Sequence, residues 1–279
     1  MKFHFLLARR TPDVPSQIIL DVSEILRRRG HVVECSIPEE SLCALDDGPR
    51  DPDLYLLKSY TELSLSLAGA LSAQGANLIN PYQGCAAARN KIVCYQMLRQ
   101  SGVPVPRAWI TSGLSLLKDL LKSYPLILKP YMGWRGEGVQ VIRRERDLAG
   151  LQPPSAPLLI QEYIENNGED LRLYVAGGEV FGIRKRFSRS SFAVEGEPTP
   201  VSREMRDLAL RCGQVFGLRL YGLDVIEGSE GPRVVDVNYF PGYKGVPGAA
   251  YAVADCIDHH GRSLHKGLRY SEPVEEAAR

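Results

Sequence analysis

Short apolar runs broken by glycine, proline and polar turns set the pattern of this chain, and the pattern changes along it. An apolar strand over residues 3–8 leads to a helical stripe of Ile18, Val22, Ile25 and Leu26 that closes on a basic turn and Gly30. Strands over 31–36 and 54–57, a helix over 61–74 stopped by Gly75, and a strand over 77–79 continue the alternation. Alternating strands and helices of this kind predict a small α/β unit with a parallel sheet. One amphipathic helix is predicted over 86–99, ended by Gly102-Val103-Pro104-Val105-Pro106, then a short strand over 108–110 and a helix over 114–122. From there strands dominate, over 126–129, 139–142, 158–164, 171–176 and 180–183, with helices over 205–216 and 249–260. Residues 271–279 read as a frayed acidic tail.

The run Val234-Val235-Asp236-Val237-Asn238-Tyr239-Phe240-Pro241-Gly242 stands out. Strand side chains alternate faces, so Asp236 and Asn238 point the same way, about 7 Å apart along the backbone. A second apolar strand carries Asp224, and Gly228-Ser229-Glu230-Gly231-Pro232 between them reads as a hairpin turn. Folding the hairpin sets Asp224 beside Asp236 and Asn238. Three oxygen-bearing groups on apolar strands suit a hard cation such as Mg²⁺, which takes one or two carboxylates plus substrate phosphates. The plainer alternative is a surface hairpin with scattered polar residues.

A second candidate is Lys129, at the end of an apolar strand before Pro130-Tyr131-Met132-Gly133-Trp134-Arg135-Gly136-Glu137-Gly138. Glycines let backbone N–H groups approach phosphate oxygens, with Lys129 and Arg135 as cations; a plain hairpin turn is the other reading. Gln161-Glu162-Tyr163-Ile164 ends a very apolar strand, whose exposed edge is expected to offer backbone groups to an adenine rim or to be an ordinary strand end. Asp170 and Arg172 share a face on the next strand. The basic run Arg184-Lys185-Arg186-Phe187-Ser188-Arg189 binds an anion in the same cleft or is a solvated face. No Lys follows a Gly, so a Walker A loop is absent, as are G-x-S-x-G, H-E-x-x-H and G-x-G-x-x-G.

Composition narrows the partners. The 279 residues are 44% hydrophobic, enough for a large core in two or three subdomains. A net charge of +1 gives no general pull toward nucleic acid. No apolar run nears the roughly 20 residues that span a bilayer, and the N-terminal apolar stretch is too short for a signal peptide, so a cytoplasmic protein is expected. Six cysteines without C-x-x-C spacing read as reduced thiols, and His259-His260 as a solvated helix end.

In order, Asn90-Lys91, Gly102-Val103-Pro104-Val105-Pro106, Ile127-Leu128-Lys129-Pro130 with its glycine loop, Gln161-Glu162-Tyr163-Ile164, Asp170-Leu171-Arg172, Gly222-Leu223-Asp224-Val225 and Asp236 to Gly242 resemble the ATP-grasp superfamily, in the branch of ribosomal-protein glutamate ligases and lysine-biosynthesis ligases. The resemblance covers residues 86–268. It implies an α+β ATP-grasp fold: an N-terminal α/β domain over 1–85, an ATP-grasp domain over 86–268 with a small lid near 105–165 and a mixed or antiparallel C-terminal sheet, and a tail over 269–279. It implies that ATP and Mg²⁺ (or Mn²⁺) are used. Lys91 and Lys129 would hold the α- and β-phosphates, and Gly133, Arg135, Gly136 and Gly138 would close over them. Gln161, Glu162, Tyr163 and Ile164 would border adenine, and Asp170 the ribose. Arg172 with Lys185 or Arg186 would face the γ-phosphate and acceptor, and Asp224, Asp236 and Asn238 would hold the metal.

The implied activity is a carboxylate–amine (or thiol) ligase that works through an acyl phosphate, on small-molecule or peptide carboxylates and amines, without nucleic acid or membrane. Two departures bear on the acceptor. Asp236 stands where the ligases usually carry Glu, and Arg189-Ser190-Ser191-Phe192 stands where they usually carry an arginine-to-asparagine motif after the basic strand. Asp236 to Tyr243 is similar to the inositol polyphosphate kinases of the superfamily, which also use Asp-x-Asn. The second expectation is therefore a kinase of a phosphorylated polyol, and the third a nucleotide-binding protein without catalysis.

Overall fold

The structure, a computed structural model, describes residues 1–9, 16–45, 52–133, 136–165, 168–186 and 196–266. The first unit alternates β1 (Lys2–Leu7), α1 (Gln17–Arg28), β2 (Val32–Ser36), β3 (Leu54–Lys58), α2 (Glu62–Ala73) and β4 (Leu78–Ile79). The strands form the expected parallel sheet in the order β2-β1-β3-β4. Phe3, Phe5, Leu54 and Leu56 are fully buried in it, and α1 buries Ile18, Ile19, Val22 and Leu26. Thr61 caps α2 by accepting from the Ser64 amide.

The single helix expected over 86–99 is two helices, α3 (Tyr82–Arg89) and α4 (Lys91–Gln100). Asn90 leaves helical geometry at φ −88°, ψ 102°, and its Oδ1 accepts from the amides of Ile92 (3.1 Å) and Val93 (3.2 Å). The apolar periodicity runs on through a one-residue break, so it hides the new N-cap.

The lid consists of β5 (Ala108–Thr111), a 3-10 turn (Leu114–Leu117) running into α5 (Lys118–Leu121), β6 (Leu126–Pro130), β7 (Gln140–Ile142) and β8 (Leu158–Glu162). Its sheet is antiparallel in the order β5-β8-β6-β7. Strand β8 is therefore interior, which corrects the expectation of an exposed edge at Gln161-Glu162; the chain leaves the ladder only beyond Glu162. The helix expected over 114–122 is that short composite.

The C-terminal sheet runs β11 (Glu197–Thr199), β10 (Glu179–Arg186), β9 (Glu169–Ala176), β12 (Leu220–Gly228), β13 (Gly231–Tyr239), with every pairing antiparallel. Helices α6 (Arg203–Phe216) and α7 (Ala249–His265) complete it. Leu173, Val175, Leu223, Val225 and Val237 are buried, and α6 packs closely enough that a Cβ at Gly213 would lie 2.2 Å from the Tyr221 hydroxyl. Among the described residues no helix is long and apolar enough to cross a membrane.

Two hydrophobic cores result. The parallel sheet and the C-terminal sheet share one, running from Phe3 to Ile257, while the lid has its own around Leu117, Leu126, Leu128, Ile142, Leu158 and Ile160. Asn80, fully buried, joins the first two units. Its Nδ2 donates to the Leu220 carbonyl (2.7 Å), and its Oδ1 accepts from the amides of Arg219 (2.8 Å) and Leu220 (3.0 Å).

Asn80→Ala removes three bonds and leaves buried backbone groups unpaired, so it is expected to cost about 2–4 kcal/mol, read as a lower urea midpoint at unchanged slope. A second outcome concerns pH. Burial, helped by Arg219 and His259, pushes the His260 imidazole down to about 4 from 6.5. The unfolded chain then binds a proton that the folded one refuses, so stability is lost as pH falls from about 6.5 toward 4. His260→Gln is expected to flatten the acid limb of a urea-midpoint profile across that window.

Candidate functional site

Strands β12 and β13 form the expected hairpin, turning at Ser229-Glu230. Its register sets Asp224 directly opposite Asp236, and Gly222 opposite Asn238. Opposed residues have Cβ atoms about 5 Å apart, so two carboxylates meet across the ladder with Asn238 next along the same face. Arg172 on β9 lies opposite Asp224, and Lys185 on β10 opposite Asp170. Six polar side chains from four strands thus share one face, while the other face packs on helices.

A bulge interrupts the hairpin beside this cluster. The pairing steps from Asp224–Asp236 to Val225–Val234, leaving Val235 without a cross-strand partner. Its carbonyl accepts from Lys129 Nζ at 3.0 Å, so the bulge ties the lid's buried lysine to the hairpin. Lys91 opens α4 and bonds both Asp236 oxygens at 2.7 and 2.8 Å. A cation at a helix N-terminus opposes the helix dipole, and Asp236 offsets that cost. Arg172 Nε lies 3.4 Å from both Asp170 Oδ2 and Asp224 Oδ1.

The titration of these groups follows from burial and neighbours. Burial pushes Lys129 down to about 8 against the pull of Asp236. Burial raises the Asp224 carboxyl, only partly countered by Arg172. Burial acts on Asp236 too, but Lys91 and Lys129 outweigh it and hold that carboxyl below its ordinary range. Lys185 is lowered by burial, with Arg172 and Lys244 adding to the effect.

The other expected residues divide. Gly136 and Gly138 take positive φ of 74° and 71°, and a Cβ at Gly138 would come within 2.7 Å of the Pro130 ring. The Gly133 carbonyl accepts from Arg89 Nη1 at 3.1 Å. Arg135 lies outside the described residues, as does Arg189 of the basic run. Gln161 is on the Lys129 face of the lid sheet, and its buried Oε1 has no hydrogen-bond partner; Asp170 Oδ1 is in the same state. Glu162 points to the other face and accepts from the Arg107 amide at 3.0 Å. Tyr163 donates its amide to the Pro125 carbonyl, and Ile164 packs where only a glycine, Gly228, leaves room. Alternation along β10 brings Lys185 to the cluster and directs Arg184 and the exposed Arg186 to the opposite face, where Arg184 pairs with Glu227 at 2.6 Å. Arg186 is therefore not brought together with Asp170 and Arg172.

Several neighbours escaped the sequence reading. Lys58 Nζ donates to the Phe240 carbonyl (2.8 Å), Tyr60 Oη to the Tyr239 carbonyl, and Tyr239 Oη to the Ser59 carbonyl (2.9 Å). These contacts join residues about 180 positions apart, so no local pattern announces them. Lys244, just past the Pro-Gly turn, was the one within reach of local reasoning. A small cavity of about 10 Å³ lies where the units meet, between Tyr60, Arg89, Lys91, Gly133 and Asn238.

Among the described residues, no group of three or more His, Cys, Asp and Glu is placed to hold a metal ion. Two carboxylates and a carboxamide fit a hard cation that completes its shell with phosphate oxygens. The Lys91 ammonium already neutralises Asp236 where such a cation would.

A lid sheet facing a second sheet, with lysines and carboxylates in the cleft between, defines an ATP-grasp enzyme. The family described as RimK-like ATP-grasp domain matches residues 88–253, and this chain belongs to it. A probable alpha-L-glutamate ligase of Saccharophagus degradans is 31% identical over 206 residues, 68% of each chain. A RimK domain protein ATP-grasp from Sphaerobacter thermophilus has a similar fold, with TM-score 0.73 at 21% identity over 93% of this chain and 98% of that one. So does the ATP-grasp ligase PsnB, solved with a minimal precursor, Mg and ADP, with TM-score 0.70 at 21% identity over 93% and 97%. The protein is an ATP-using, ADP-forming ligase that makes C–N bonds, and the polyol-kinase reading is not favoured.

Lys129→Met keeps the shape and removes the buried charge. It is expected to weaken binding of a fluorescent ATP analogue about 10–100-fold, or ~1.4–2.8 kcal/mol, with unchanged circular dichroism. Equal affinity would remove Lys129 from the nucleotide site.

Proposed function

We propose that the protein joins a carboxylate to an amine through an acyl phosphate, with ATP bound between the lid and the C-terminal sheet. The observation that carries this reading is the facing pair Asp224–Asp236, ringed by Lys91, Lys129 and Arg172. Asp224, Asp236 and Asn238 would hold Mg²⁺, which when bound neutralises charge on the phosphates. Lys91 and Lys129 approach the α- and β-phosphates from the helix and the lid. The orphaned Gln161 Oε1 accepts from the adenine amine, and Asp170 Oδ1 from the ribose.

Arg172 and Lys185 face the γ-phosphate and the acceptor carboxylate. They orient two anions toward each other and stabilise the charge that develops in line. A carboxylate oxygen attacks the γ-phosphorus and ADP leaves. The amine nitrogen then attacks the acyl carbon, inorganic phosphate departs, and the amine gives up a proton. No cysteine is needed, and burial pushes the Cys94 and Cys212 thiols far up, out of nucleophilic range. The relative named as a probable alpha-L-glutamate ligase makes glutamate the first substrate to try.

The deciding experiment scores ADP release over a panel of amino acids, short peptides and inositol phosphates. ADP is expected only when a carboxylate and an amine are both present, with Asp236→Asn lowering kcat/KM at least 100-fold, or about 3 kcal/mol, in a folded protein. Phosphoryl transfer to an inositol phosphate, or full activity of Asp236→Asn, overturns the reading.

A further inference from the structure

Lys91 occupies an unusual position for a phosphate-binding lysine. Its ammonium straddles a single carboxylate, both Asp236 oxygens lying within 2.8 Å, and its side chain is largely buried, with 13% of its surface exposed. The same carboxylate is the one proposed above to bind the divalent cation, and the inference rests on that reading. An ammonium in bidentate contact fills the directions in which a metal would approach. It also repels a dication, strongly so in a site screened from water. We infer that Lys91 is the resident counter-ion of the metal site, keeps free divalent cations off Asp236, and surrenders the carboxylate only when nucleotide phosphates draw the ammonium away.

The geometry supplies the exchange. The Lys91 amide donates to the Tyr131 carbonyl at 2.8 Å, so the residue is anchored at the base of the glycine loop that begins two residues on at Gly133. Arg89, two residues back at the end of α3, holds the Gly133 carbonyl. A triphosphate under that loop lies within the swing of a lysine side chain whose backbone does not move. The ammonium then trades one anion for another, and Asp236 loses its bidentate partner while it faces Asp224, with Lys129 and Arg172 the cations left beside the pair. Two facing carboxylates relieved of that ammonium attract a dication. Metal and nucleotide therefore bind as coupled partners, each raising the affinity of the other by the same factor. The metal alone finds its site closed by a cation that is part of the protein.

Mn²⁺ binding, followed by electron paramagnetic resonance of the free ion, reads this without turnover. The parent protein alone is expected to bind Mn²⁺ weakly, and to bind it with AMPPNP beyond what the same Mn²⁺–AMPPNP mixture shows without protein. Lys91→Met and Lys91→Gln are expected to bind Mn²⁺ at least tenfold tighter than the parent without nucleotide, and Lys91→Arg, which keeps the charge, to stay like the parent. Circular dichroism checks that each variant is folded, and two neutral variants guard against one that is not. Unchanged Mn²⁺ affinity in both, while the parent binds Mn²⁺ with AMPPNP and Asp236→Asn does not, overturns the counter-ion role and leaves the proposed function standing. Absence of protein-bound Mn²⁺ in every sample, AMPPNP included, overturns the metal site itself and this inference with it.

Discussion

Two carboxylates facing each other across a β-ladder repel, and partial burial raises the cost of keeping both ionised. Asp224 and Asp236 are such a pair, and much of this molecule is arranged to make them tolerable. Their solutions differ. Asp224 relies on Arg172, which it shares with Asp170 and holds only at 3.4 Å, and its carboxyl stays raised. Asp236 has an ammonium on both oxygens and a second lysine behind it, and its carboxyl is lowered. The chain thus presents two facing carboxyls of opposite bias, one raised by burial and one lowered by the lysines around it.

The compensating cations come from three separate places. Arg172 is delivered by the sheet's own register, Lys91 by a helix restarted at Asn90, and Lys129 by the lid. The two lysines depend on local irregularities: a one-residue helix break for Lys91, and for Lys129 a bulge that frees the Val235 carbonyl. The hairpin end is held by a clasp from the first unit, with Lys58 and Tyr60 on the backbone of Phe240 and Tyr239, and Asn80 on Leu220. The strands that carry Asp224, Asp236 and Asn238 are therefore fixed by the shared core, whereas the lid brings its lysine from a core of its own.

Much of this was legible in the sequence, and the boundary is physical. The hairpin could be read because it is local: two apolar strands, a Gly-Pro turn and alternation suffice to set Asp224 beside Asp236. The parallel sheet was legible for the same reason, since each strand–helix step carries its own periodicity. What could not be read depends on register or on distant partners. Lys185 and Arg186 are neighbours on a strand, and only the pairing of β10 with β9 decides which one meets Asp170. Strand β8 looks like an edge until β5, some fifty residues earlier, is found to cover it. The bulge at Val235 leaves no compositional trace, because valine suits a regular strand equally well. The helix opening at Asn90-Lys91 was legible from the family resemblance, whereas the hydrophobic stripe over 86–99 read as one helix.

The separate lid core has a mechanical consequence. The polar bonds between lid and body include Lys129 on Val235, the Lys91 amide on Tyr131 and Arg89 on Gly133, and Ile164 packs over Gly228. The lid's apolar cluster is separate from the body's, so these contacts set its position. Lys129 closes onto the Val235 carbonyl here. In the proposed function the same ammonium would meet a phosphate, an ion pair in place of a bond to a neutral acceptor. On the inference drawn above, Lys91 would make the matching exchange from the other wall, giving up a carboxylate for a phosphate. Nucleotide would then replace two internal contacts and free Asp236 in the same step, which would tie the lid's position to assembly of the metal site.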